Sequence, residues 1–123
     1  MAVDLTVVIP IRDEAPNLEA LHREFSDTLR QWGRPYEIIL VDDGSTDESF
    51  AVLRRLQAGD PHLRLIRFRR NFGQTAAFAA CFAHARGTVI ATADGDLQND
   101  PRDLPAMVAR LESESADVIC GWR

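Results

Sequence analysis

Asp94, Gly95 and Asp96 follow directly on the apolar run TVIATA. Residues two apart in an extended segment point the same way, so the two carboxylates converge. Like charges that close raise each other's pKa unless a cation neutralises them. Mg2+ or Mn2+ takes oxygen ligands and keeps positions open for phosphate oxygens, which makes this tripeptide a candidate metal site. Gly95 would let a ligand approach the backbone. A diphosphate is repelled by paired aspartates but accepted by a cation between them, so a nucleoside diphosphate conjugate is the natural ligand. Other carboxylates could then read base and ribose hydroxyls, as in other nucleotide folds.

Three more polar clusters each follow a strand-like run: RDE from Arg12, DDGS from Asp42 and RNFG from Arg70. Taken singly, DDGS suits a turn and helix cap, and RDE a solvated helix start. Arg64, Arg67, Arg69 and Arg70 fit an exposed strand face running into a turn, with phosphate or membrane contact as the alternative. Asp100 and Asp103 fall where the next helix begins and favour its N-terminus.

These clusters need elements to position them. Leu5–Ile11, Tyr36–Val41, Leu63–Arg69, Thr88–Ala93 and Ala116–Cys120 read as five strands. Between them, Leu18, Leu21, Phe25, Leu29 and Trp32 recur at helical spacing, as do Phe50, Leu53 and Leu56. An alanine-rich helix runs to about His84, and Pro101 or Pro105 opens a helix with Leu104, Met107, Val108 and Leu111. Ser45 and Glu48 have capping-box spacing for the second helix. Alternating strands and helices with near-continuous apolar strands predict an α/β fold: a mostly parallel sheet with helices on both faces. Ligands of such sheets bind at the carboxyl ends of the strands, where all four clusters fall.

The 123 residues fit one domain, 1–123. A net charge of -5 argues against nucleic acid as a partner. All 14 basic residues are arginine, which removes P-loop and Schiff-base lysines. Cys81 and Cys120 have no metal spacing and read as reduced core residues of a cytoplasmic protein. No apolar run approaches the ~18 residues of a membrane span, and no signal pattern opens the chain. The sheet is expected to be truncated at the C-terminus; an exposed apolar edge could then make a homo-oligomer.

VIPIRDE from Val8, VDDGSTD from Val41, RNFGQ from Arg70, DGDLQ from Asp94 and GWR from Gly121 occur in that order. Together they resemble glycosyltransferase family 2, in the branch of dolichyl-phosphate mannose or glucose synthases and bacterial undecaprenyl-phosphate sugar transferases. The resemblance spans essentially the whole chain and implies a GT-A fold. It implies inverting transfer of a sugar from a nucleoside diphosphate to a polyprenyl phosphate. It assigns Pro10, Arg12 and Glu14 to the nucleotide pocket, and Val41 and Asp43 to the surroundings of the base and ribose. Asp94, Gly95 and Asp96 fall at the metal and diphosphate site, Asp96 carrying the catalytic part. Gln98 would be a third metal-site position and Arg123 a contact of the donor diphosphate. Asn71 and Gly73 would shape the rim. The family usually has an aromatic residue and an asparagine where this chain has Arg12 and Asp13. It also continues into acceptor-site and membrane-contacting segments beyond this stretch.

The implied attack comes from a lipid phosphate oxygen on the anomeric carbon. A phosphate monoester with a second pKa near ~6 is largely ionised at neutral pH, so no general base is nominated. His22, His62 and His84 are expected in packing or surface roles. The parent protein is expected at the cytoplasmic face of the membrane. One alternative is a nucleotide-sugar-binding portion, inactive without an acceptor half. A phosphoacceptor receiver domain fits poorly, because it needs an aspartate after the third strand and a lysine after the fifth.

Overall fold

The computed structural model of the protein describes residues 2–95 and 100–115. Strands β1 (Val3–Ile11), β2 (Tyr36–Asp43), β3 (Leu63–Phe68) and β4 (Gly87–Thr92) alternate with helices α1 (Ala15–Trp32), α2 (Ser49–Ala58) and α3 (Gln74–His84). A 3-10 turn at Pro101–Asp103 leads into α4 (Leu104–Ser113). The described strands form one parallel sheet in the order β3-β2-β1-β4. The fifth strand expected at Ala116–Cys120 lies outside the described residues.

The strand order explains where the helices lie. Right-handed crossovers from β1 to β2 to β3 put α1 and α2 on one face. The chain then returns past β1 to β4, and the same handedness sends α3 to the opposite face. The pleat divides the apolar residues accordingly. Leu5, Val7, Ile9, Ile11, Ile38 and Leu40 pack with Leu18, Leu21, Phe25 and Leu29 of α1, Leu53 of α2 and Val108 of α4. Val8, Ile39 and Val41 pack with Ala77 and Cys81 of α3. Burying each large aliphatic side chain contributes about 1.5–3 kcal/mol before entropy. Burial pushes the Cys81 thiol up to about 11, so it stays protonated at neutral pH.

The start of α2 corrects one expectation. The capping box at Ser45 and Glu48 does not form; the helix begins at Ser49, with Glu48 at its cap making no side-chain bond there. Ser45 is drawn into a turn instead, its N–H donating to Asp42 Oδ1 at 2.9 Å. Asp47 Oδ1 accepts from the Ser49 N–H at 2.8 Å. Near the other end of the chain, Asp100 caps the 3-10 turn by accepting from the Arg102 N–H, and Pro105 lies in the first turn of α4.

The expectation that Arg64 is simply an exposed strand residue is also corrected. Arg64 donates to Glu37 Oε1 at 2.8 Å and to the His84 carbonyl at 2.8 Å. Glu37, 4% exposed, also accepts from Thr6 Oγ1 and from the Arg86 N–H, each at 2.7 Å. Thr6 Oγ1 accepts in turn from the Gly87 N–H, so the network fastens the start of β4 to β1 and β2. Burial alone would raise the Glu37 pKa; the bonds from Thr6, Arg86 and Arg64, with the arginine charge, outweigh it and hold the carboxyl below its usual value.

A lowered folded-state pKa gives stability that is present above the unfolded value and is lost as pH falls through the folded one. The Glu37 contribution should therefore be complete above about pH 5 and drain in acid. Glu37→Gln should cost about 2–4 kcal/mol at neutral pH and flatten the acid limb, as measured by urea unfolding across pH.

Candidate functional site

The register brings the ends of the strands to one rim. Ile11 pairs with Asp42, Asp43 with Phe68, and Val8 with Thr92. The chain reverses direction across the sheet between β1 and β4, and such switch points open crevices at the carboxyl ends of parallel strands. A cleft of about 440 Å³ lies there. Pro10, Ile11, Arg12 and Glu14 line it from β1 and the loop that follows, and Asp94 and Gly95 from beyond β4. Asp43, Asn71, Gly73 and Gln74 complete the lining.

The loops after β1 and β2 are fastened to each other. Asp13, in the left-handed region at φ 53, accepts from the Thr46 N–H at 2.7 Å and the Asp47 N–H at 3.1 Å. In return the Asp13 N–H donates to Ser45 Oγ and the Glu14 N–H to Ser49 Oγ, each at 3.0 Å, and the Ala15 N–H to Asp47 Oδ2 at 3.3 Å. The amides that open α1 are thus satisfied by side chains 32 to 35 residues away. Hydrogen bonds from Ser49 lead in holding the Asp47 carboxyl below its usual range. Arg12 is exposed at the tip of this paired structure, and Glu14 Oε2 accepts from Asn17 Nδ2 at 2.8 Å. Asp13 therefore has a structural task, holding the loop after β2 against the start of α1.

Asp43 organises the loop after β3. Only 5% exposed, it accepts from the Phe72 N–H at 2.8 Å on Oδ1, and on Oδ2 from Asn71 Nδ2 at 2.8 Å and the Gly73 N–H at 3.0 Å. Three donors leave room for about one more bond from a ligand. Gly44 lets the two loops close: its φ is +70, and a Cβ would lie 2.3 Å from the Arg70 carbonyl carbon and 2.4 Å from the Asn71 nitrogen. Gly44→Ala should cost about 3 kcal/mol or more, read as a lowered denaturation midpoint, because the obstructing atoms are backbone.

Val41 does not line the cleft. It lies two residues before Asp43 on the same pleat and is fully buried beneath α3 with Ala77 and Cys81, which corrects the expectation that its side chain meets base or ribose. Gly95 lines the cleft and has a packing role besides. A Cβ there would lie 2.6 Å from Ile11 Cδ1 and 3.3 Å from the Pro10 carbonyl oxygen, so close packing on the end of β1 requires glycine, whatever the ligand does. Asp94 lies on the cleft wall as expected. Asp96, Gln98 and Arg123 lie outside the described residues.

Among the described residues no group of three His, Cys, Asp or Glu side chains could hold a metal on its own. The cleft does present Asp94, Glu14 and Asp43, oxygen donors without a histidine or cysteine, and this suits a hard ion that takes one or two carboxylates and completes its shell with phosphate and water. His22 Nε2 meets Asp60 Oδ2 at 2.7 Å, and His62 stacks on Tyr36 at 4.3 Å, both at the opposite end of the strands. The fastening of Asp13 to Ser45 and Ser49 was not foreseen from sequence, and neither Ile11 nor Gln74 was given a role there. Ile11 and Asp13 within VIPIRDE, Ser45 within VDDGSTD and Gln74 as the last residue of RNFGQ carried a motif signal, and Ser49 carried none.

The model for glycosyl transferase family 2 matches residues 6–123. Dodecaprenyl-phosphate galacturonate synthase of Rhizobium johnstonii is 42% identical over 123 residues, covering 99% of this chain and 36% of the relative. Undecaprenyl-phosphate 4-deoxy-4-formamido-L-arabinose transferase of Salmonella paratyphi B is 40% identical, covering 94% of this chain and 35% of the relative. The chain therefore spans about a third of these relatives. Among solved structures, the mannosyltransferase PcManGT of Pyrobaculum calidifontis, in complex with GDP-Man and Mn2+, superposes with a TM-score of 0.73 at 28% identity, covering 90% of this chain and 33% of that one. S. aureus TarS, with a TM-score of 0.72 at 18% identity, covering 92% of this chain and 33% of that one, shares the fold. The parallel sheet, the cleft at its switch point and the family match over residues 6–123 agree: this chain has a GT-A fold and belongs to glycosyl transferase family 2.

Proposed function

We propose that this chain is the donor-binding part of a metal-dependent, inverting glycosyltransferase that moves a sugar from a nucleoside diphosphate to a polyprenyl phosphate at the cytoplasmic face of a membrane. The observation that carries the reading is the cleft between β1 and β4, which gathers Pro10, Arg12, Glu14, Asp43 and Asp94 on one rim. Arg12 and Glu14 flank the nucleotide, and Asp43 offers its remaining lone pair to base or ribose while keeping its loop closed. Asp94, with Asp96 and Gln98, would hold Mg2+ or Mn2+, and Arg123 would contact the diphosphate. When bound, the ion supplies Lewis-acid stabilisation of charge on the leaving diphosphate. The family match and the polyprenyl-phosphate relatives support the acceptor class.

A sugar-transfer assay tests the reading with this segment carried in a chain of its relatives' full length. With polyprenyl phosphate and a nucleoside diphosphate sugar, it should give a polyprenyl phosphosugar of anomeric configuration opposite to that of the donor. Retained configuration, or transfer to a hydroxyl acceptor in preference to the lipid phosphate, contradicts the proposal. One observation favours a narrower reading for the stretch alone: it spans about a third of its relatives. By itself it would bind the donor without transferring the sugar.

A further inference from the structure

The chain's charge is unevenly divided between its two faces. Residues 61–93 contain five arginines and no aspartate or glutamate, in a chain whose net charge is -5; Arg67 stacks on Phe50 of α2 and Arg64 is paired with Glu37, which leaves Arg69, Arg70 and Arg86 for the α3 side. This basic segment runs through β3, α3 and β4. The opposite layer mixes exposed acids, Glu19, Glu24 and Asp27 on α1, Glu48 at the start of α2 and Glu112 on α4, with exposed arginines such as Arg23 and Arg54.

Among the described residues, the exposed large apolar side chains share the α3 side. Phe72, 53% exposed, packs edge-on against Phe68, which borders the α3 core. Phe82, 48% exposed, stacks on Phe78 within α3. Ile90 is 42% exposed; its neighbours Val89 and Ala91 pack into the α1 face, so the pleat turns Ile90 to the α3 side. Helix α3 has no Asp, Glu, Lys or Arg, and its Thr75, Ala79, Phe82 and Ala83 are exposed. A helix apolar on its outer face calls for a covering surface.

Cations border this apolar face. Arg69 is exposed before α3, and the Arg70 guanidinium lies 4.8 Å from the Phe72 ring centre. Arg86 is exposed after α3. The buried acids on this side, Glu37 and Asp43, are committed to Thr6, Arg64 and Arg86 and to the loop after β3, respectively. Apolar residues framed by arginine on an otherwise acidic molecule suit an anionic lipid surface, where aromatic rings enter the interface and arginines meet headgroups.

We propose that the α3 face, with Phe72 and Phe82 framed by Arg69, Arg70 and Arg86, docks this domain on an anionic bilayer. This rests on the polyprenyl-phosphate reading, and it assigns membrane contact to the donor-binding part itself. Gly73 and Gln74 both line the cleft and lead into α3, so docking sets the cleft mouth at the lipid surface, where a polyprenyl phosphate presents its headgroup.

Flotation of the chain with vesicles of phosphatidylcholine, alone or mixed with phosphatidylglycerol, tests this. Binding should need the anionic lipid and weaken with salt. Arg69→Gln with Arg70→Gln should lower partitioning by roughly fivefold per arginine. Phe82→Ser should lower it as well without changing nucleotide binding, and Arg23→Gln with Arg54→Gln on the opposite layer should leave it unchanged. Equal partitioning of the face and control variants, or none on anionic vesicles, overturns the proposal. So does a lipid-free dimer abolished by Phe82→Ser, which would assign the face to a second copy. Vesicle binding by a chain that binds no nucleotide would defeat the donor reading alone.

Discussion

Asp43→Ala should loosen the loop after β3 and weaken nucleotide binding together. The substitution strips the acceptor from the Phe72 and Gly73 amides and from the Asn71 side chain, all within a largely buried site. Donors left without partners there cost about 2–4 kcal/mol in total, part of it recovered as the loop opens to water. Opening moves Asn71, Gly73 and Gln74 off the cleft wall, so nucleoside diphosphate affinity should fall by roughly tenfold or more. Urea unfolding and calorimetric titration of one variant measure both effects. Asp43→Asn should recover little, because its amide nitrogen faces donors on at least one side. A variant that binds nucleotide normally while losing stability would confine Asp43 to folding.

Asp94→Asn should cause a large loss of function. It keeps size and shape while removing the charge expected to hold the divalent ion. With the segment carried in a chain of its relatives' full length, transfer should drop by about 10²–10³-fold, the scale of losing one preorganised electrostatic stabiliser. Asp96→Ala should lose at least as much, in keeping with the catalytic role assigned to it. A steady-state assay over a range of Mn2+ concentrations separates the causes. If Asp94 holds the ion, part of the Asp94→Asn defect should recover at high Mn2+, whereas a defect indifferent to metal would show that Asp94 serves another purpose.

The sheet was legible because its strands are near-continuous apolar runs, and a run such as LTVVIPI is fixed by composition whatever it packs against. The observed strands fall within about two residues of those expected at each end. Contacts across the sequence were not legible. Ser45 and Glu48 carry a capping signature, yet Ser45 is taken up by Asp42 and by the Asp13 amide, 32 residues away. Arg64 resembles its exposed neighbours until Glu37, 27 residues earlier, is placed beside it. For the cleft, residue type and position after a strand brought the RDE, DDGS, RNFG and DGD clusters to one rim, and the family resemblance added Pro10 and the nucleotide-pocket assignment of Arg12, Glu14 and Asp43. Val41 misled because a motif names neighbours in sequence, whereas the pleat decides that Asp43 reaches the rim and Val41 lies beneath α3. The packing role of Gly95 was hidden for a related reason, since what crowds it is the Ile11 side chain from β1.

Donor binding in the cleft between β1 and β4, assisted by a divalent ion, is read by calorimetric titration of nucleoside diphosphates and their sugar conjugates into the chain, with and without Mn2+. Saturable binding strengthened by Mn2+ is expected, with that strengthening lost in Asp94→Asn and Asp96→Ala. Binding that ignores Mn2+, or no binding by any nucleotide, would refute a metal-assisted donor site.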